Sequence, residues 1–151
     1  MKIFDCTTYY KEDLMLEVRL NILNQYVDKF VIAEATYSHS GEKKKLNFDI
    51  NKFSQFRNKI IYIKIENEPK NIIYTSKDNS HIEDEVHMRT NSIKRIKHQR
   101  DRLIEGLSEA NDEDYILYSD NDEIPNLSNI DFKNIKNKII IFKQKLYYYK
   151  F

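Results

Sequence analysis

Glycine is almost missing from this chain: there are two, Gly41 and Gly106. A Walker phosphate loop or a Gly-x-Gly-x-x-Gly turn needs glycines where the backbone approaches a phosphate, so neither is available. Any phosphate must be held by side chains or a metal. Cysteine occurs once, at Cys6, which excludes an intrachain disulfide and a cysteine-rich zinc site. Lying in an apolar segment, Cys6 reads as a buried, inert thiol. No run is apolar and long enough to span a bilayer, and the first residues carry no signal-peptide core, so a cytoplasmic location is expected. An excess of one charge is missing too. Lys+Arg 25 against Asp+Glu 24 leaves a formal net charge of +1, which gives no reason to expect nucleic acid as a partner.

What is present suits one globular domain spanning residues 1–151, with 40% hydrophobic and 32% charged residues and no internal repeat. The most informative stretch is Tyr115-Ile116-Leu117-Tyr118-Ser119-Asp120-Asn121-Asp122-Glu123-Ile124-Pro125. Its apolar, aromatic start predicts a buried strand, and Pro125 stops any continuation. Three carboxylates follow the strand directly. Open α/β sheets hold ligands at the carboxyl ends of their strands. There Asp120 and Asp122 can converge on one hard cation, Mg2+ or Mn2+, which shares its other positions with water and substrate phosphates. The plainer reading is a solvated acidic turn.

The rest of the chain supplies the frame. Lys2 to Thr8, Asp28 to Glu34 and Lys59 to Ile65 read as strands, and Glu34 falls at a strand end facing the same crevice, where it either accepts hydrogen bonds from a base or ribose or is a plain loop carboxylate. Glu12 to Tyr26 predicts a helix with the stripe Leu16, Leu20, Leu23 and Val27, while Glu17 and Arg19 read as solvated charges. Lys43, Lys44 and Lys45 read as solvated surface. Glu66 to His87 predicts a long loop, and Met88 to Ala110 a helix with the stripe Ile93, Ile96, Leu103 and Leu107. Arg100 falls on that stripe, so it either snorkels to solvent or reaches the acidic cluster; His98 and Gln99 flank it. Asn126 to Lys138 predicts a loop or short helix. Ile139 to Phe142 and Lys143 to Phe151 predict strands, and the aromatic end suggests a homodimer through that segment.

Several stretches in order resemble glycosyltransferase family 17: Ile3-Phe4-Asp5-Cys6, Leu16-Glu17-Val18-Arg19-Leu20, Phe30 to Thr36 with Ser38-His39-Ser40-Gly41, His98-Gln99-Arg100-Asp101, and Ser119 to Pro125. The resemblance runs from Lys2 to Tyr149. It implies a GT-A-like, Rossmann-like α/β sandwich with a mostly parallel sheet. It also implies a UDP-sugar donor, a glycan acceptor, Mn2+ or Mg2+, and inversion at the anomeric carbon, with GlcNAc the expected sugar. By position, Asp122 would ligate the metal and Asp120 would contact it or the ribose. Glu34 would lie near the nucleoside and Arg100 near the diphosphate, with Thr7, His98 and Gln99 as further donor contacts. Family catalytic domains are longer than this chain, and Tyr147-Tyr148-Tyr149 resembles a point inside them. This implies a donor half whose general base lies elsewhere and which turns over poorly alone. Two other readings stand beside it: a non-catalytic or weakly active nucleotide-sugar-binding fragment, and an Asp-x-Asp phosphatase with Asp120 as nucleophile.

Overall fold

The computed structural model describes residues 1–74 and 80–144. Four segments rich in β-branched and aromatic residues form strands: β1 (Ile3–Thr8), β2 (Lys29–Ala35), β3 (Ile60–Ile65) and β4 (Tyr115–Tyr118). All pair in parallel, in the order β3-β2-β1-β4. The fold class is therefore α/β with an all-parallel, Rossmann-like sheet, as the sequence leads one to expect.

Side chains alternate between the two faces of each strand. On one face, Ile3, Phe30 and Ile32 meet Leu16, Leu20 and Leu23 of α1 (Asp13–Leu23) and Phe53 and Phe56 of a 3-10 helix, Ile50–Phe56. On the other, Phe4, Cys6, Val31, Ala33, Ile63 and Ile65 meet Leu103, where α2 (His81–Arg102) passes into a second 3-10 helix, Leu103–Leu107. Gly106 permits this closeness, because a Cβ there would sit 2.3 Å from Val31 Cγ1.

From β1 the chain steps through α1 to β2 and on to β3. It then crosses by α2 to β4, on the opposite side of β1. The strand order thus reverses between β1 and β4, and the position outside their carboxyl ends is the usual ligand crevice of open α/β sheets.

Five expectations need correction. Arg19 is not solvated but fully buried. Lys44 is not free surface, since its Nζ lies 2.5 Å from Glu34 Oε1. The stretch before His87 is not all loop: α2 begins at His81. There Ser80 Oγ accepts from the Glu83 amide, and Glu83 returns an acceptor to the Ser80 amide at 2.8 Å. Its inner face is also polar, formed by Asn91, Arg95 and Gln99 ahead of Leu103, whereas Ile93 is 58% exposed. These polar groups hold loops against the sheet: Asn91 bonds both backbone groups of Ile73, and Arg95 bonds Glu68 and the His39 carbonyl. Finally, residues 139–144 form no strand among the described residues, because β propensity cannot make a strand without a ladder partner. Asn126 to Lys138 contains only the short 3-10 helix Phe132–Asn134. The proposed strand and dimer contact beyond Gln144 lie outside the described residues. Among those described, no helix is long and apolar enough to cross a membrane.

Candidate functional site

The crevice is built from the end of β1, the loop after β4, and the end of α2. Cys6 pairs with Tyr118, so Thr7 lies beside Ser119 where β4 leaves the sheet, while β1 continues beside β2 to Thr8. Burial raises the Cys6 thiol to about 12, leaving it a packing group and no nucleophile. Thr7 is buried, and its hydroxyl donates to the Thr8 carbonyl at 3.5 Å.

Beyond β4 the chain turns tightly. The Glu123 amide donates to the Asp120 carbonyl at 3.0 Å, and Glu123 Oε2 accepts from the Asp120 amide at 3.2 Å. The turn sends Asp120 and Asp122 outward and buries Asn121 between them. Arg100 Nη2 donates to both Asp120 oxygens, at 2.7 and 3.0 Å, and its guanidinium lies 5.6 Å from the centre of the Tyr118 ring. Arg100 thus faces the acidic loop, although it is exposed and not embedded in an apolar stripe. Asp122 is exposed, and its carboxylate has no partner among the described residues. The Asn121 amide is the opposite case: both its Oδ1 and Nδ2 are buried without a partner.

His39 and Gln99 adjoin this group. Partial burial and then the nearby Arg100 charge lower the His39 pKa, with Asp120 and Gln99 opposing, so the imidazole is neutral near pH 7. Gln99 is buried. His98 turns away, its Nε2 3.1 Å from the Asn67 carbonyl.

Glu34 also lies at the carboxyl edge, but it does not open into the crevice as expected. Its carboxylate is fully buried. It accepts from Lys44 Nζ, from the amides of Asn47 and Phe48 at 2.8 and 3.0 Å, and from the Tyr62 hydroxyl at 2.8 Å. Burial alone would raise its pKa, yet these four donors together hold it below the usual glutamate range.

Sequence reasoning missed the side chain under the acidic loop. Arg19 lies three residues after Leu16 and four before Leu23, which puts it on the inner face of α1; that spacing was the available signal. Its Nε and Nη2 make a two-pronged bond to Asp5 at 2.8 and 2.7 Å. Nη1 donates to the carbonyls of Asp120, Asn121 and Glu123 at 2.8, 3.4 and 3.2 Å, and Nη2 to Ser119 Oγ at 2.8 Å.

Among the described residues no group of three or more His, Cys, Asp or Glu side chains is placed to hold a metal. The donor set nevertheless fits a hard divalent cation that is held by one or two carboxylates and completed by substrate phosphates. Asp122 is unpaired among the described residues, whereas both oxygens of Asp120 are held by Arg100.

A parallel sheet packed by helices on both faces defines a doubly wound α/β protein. Within that class the chain belongs to glycosyltransferase family 17, whose family model matches residues 1–151, and the protein is a glycosyltransferase. No curated protein and no solved structure matches the chain.

Proposed function

We propose that the protein transfers GlcNAc from UDP-GlcNAc to a glycan acceptor with inversion, and that it binds the donor at the β1–β4 crevice with Mn2+ or Mg2+. The observation that carries this reading is the unpartnered Asp122 carboxylate beside the Arg100–Asp120 pair at the switch point of a family 17 chain. Asp122 is the principal metal ligand and Asp120 the second. A cation held there by Asp122 and Asp120 would supply positive charge to offset that gathering on the departing diphosphate.

The remaining work falls to the chain. In the free protein Arg100 covers both oxygens of Asp120 and keeps two like charges from facing each other across the loop. When donor and metal arrive, Arg100 moves to the diphosphate, where its fixed charge stabilises the leaving group. Tyr118 gives the guanidinium a ring face to rest against. Thr7 and Gln99 are buried behind this edge and would meet the donor only through its innermost atoms. His98 stays with the Asn67 loop, and Glu34 holds the 44–48 segment in place.

The test is UDP release from UDP-GlcNAc with a mannose-containing acceptor, with Mn2+ and with a chelator, and the anomeric configuration of the product read by NMR. Metal-dependent release with an inverted linkage is expected. Equal release in chelator removes the metal from the proposal, and a retained linkage removes inversion.

A further inference from the structure

We propose that Arg19, backed by Asp5, is a positioning residue for the transfer: it shapes the Ser119–Glu123 loop so that Asp120 and Asp122 present their carboxylates to the cation. The inference rests on the donor-site reading above and extends it to residues that never touch donor or metal.

The Arg19 side chain is 0% exposed and that of Asp5 1% exposed, so the pair is a buried ion pair. Such pairs contribute little net stability compared with well-packed apolar side chains of the same volume. Stability alone therefore gives little reason for an arginine under this loop. Its geometry gives a better one. The two Asp5 bonds fix the guanidinium plane. The outward N–H groups then meet three carbonyls and the Ser119 hydroxyl, which itself donates to the Glu123 carbonyl at 2.7 Å. A loop whose carbonyls converge inward on one cation turns its alternate side chains outward. The carbonyls of Asp120 and Asn121 point down at Arg19, while the Asp120 and Asp122 side chains reach the surface. The pair is also neutral as a unit, so the loop keeps its negative field for a divalent ligand. Lysine, a point charge with three donors, cannot reproduce a fork that serves Asp5 and four loop acceptors at once.

Arg19→Lys and Ser119→Ala test the inference, with Leu23→Ala as a comparator that weakens the same helix one turn further from the loop. Hydrogen exchange at the amides of Asp120 and Glu123 reads the loop, and Mn2+-dependent UDP affinity reads the site. Arg19→Lys is expected to speed exchange at both amides by at least about tenfold, the factor that loss of one hydrogen bond to a charged group corresponds to. UDP affinity should fall by a similar factor. Ser119→Ala should shift both in the same direction by less and remain folded. Leu23→Ala, at an equal or larger loss of melting temperature, should leave both unchanged. Exchange that rises no more in Arg19→Lys and Ser119→Ala than in Leu23→Ala overturns the proposal. So does a loosened loop with unchanged UDP affinity, which makes Arg19 a support of the fold only. A wild-type protein that binds no UDP counts against the donor-site reading instead, and the exchange result then decides whether Arg19 shapes the loop.

Discussion

Two carboxylates leave the same edge of one sheet and meet opposite fates. Glu34, after β2, is enclosed by Lys44, Tyr62 and two backbone amides. Asp122, two strands away beyond β4, stands in solvent without a partner among the described residues. Both occupy positions from which an α/β protein can reach a ligand. What separates them is whether the protein has already satisfied their acceptor capacity. A satisfied carboxylate holds structure, and an unsatisfied one is available for chemistry. Arg19 and Arg100 repeat the contrast: one is buried with its donors engaged by a loop, the other is exposed and paired with Asp120 alone.

The largest effect should come from the enclosed side. Glu34→Ala strands the Lys44 ammonium and the donors around it. It is expected to lower unfolding stability by about 3–5 kcal/mol in urea titrations, the usual cost of breaking a buried pair. A loss below about 1 kcal/mol would mean that the enclosure adds little.

The same carboxylate should impose a pH dependence. Its folded pKa lies below the ordinary value, so its contribution is complete above the unfolded pKa and is lost as pH falls through the folded one. The urea midpoint should therefore drop as pH is lowered from about 5 toward 3. Asp13, held down by Lys52 and Tyr9, and Asp114, held down by the Lys2 amide, add in the same sense. Glu34→Gln should flatten the curve in that window, and an unchanged slope would assign the effect to the other carboxylates held low, Asp13, Asp114 and Glu83, the last bonded by Ser80.

Arg100→Gln tests the exchangeable arginine. UDP affinity in Mn2+ should fall about tenfold, the worth of one charge-assisted hydrogen bond, while affinity for the metal alone should hold or rise as Asp120 is uncovered. A fall in both would tie Arg100 to the loop itself and not to the diphosphate. Smallest of all should be the stability cost of Asp122→Asn, within about 0.5 kcal/mol, since the residue is exposed and unpartnered. A larger loss would show that Asp122 supports the fold after all.

The contrast also marks where sequence reading stopped. The four strands, their parallel pairing and the acidic loop after the last strand were legible because apolar runs and turn residues declare themselves locally. So was α1 through its leucine stripe. The inner face of α2 was not, because Asn91, Arg95 and Gln99 bury polar groups that bond the 37–41 and 66–73 loops, and apolar spacing drew attention to Ile93 instead. The start of α2 was readable from Ser80 and Glu83, a capping pair that the polar surroundings masked. Glu34 and Asp122 could not be told apart, because their partners come from residues far along the chain, such as Tyr62. Residues 139–144 show the reverse failure: strong β propensity, and no partner strand among the described residues.

On the proposed function, the unpartnered Asp122 carboxylate at the β1–β4 crevice holds the metal on which donor binding depends. Calorimetric titration of UDP into the wild-type chain and Asp122→Asn, each with and without Mn2+, tests it most directly. The account predicts binding by the wild type that needs Mn2+, and a loss of at least about tenfold in Asp122→Asn with the fold intact. Unchanged Mn2+-dependent affinity in Asp122→Asn would contradict it.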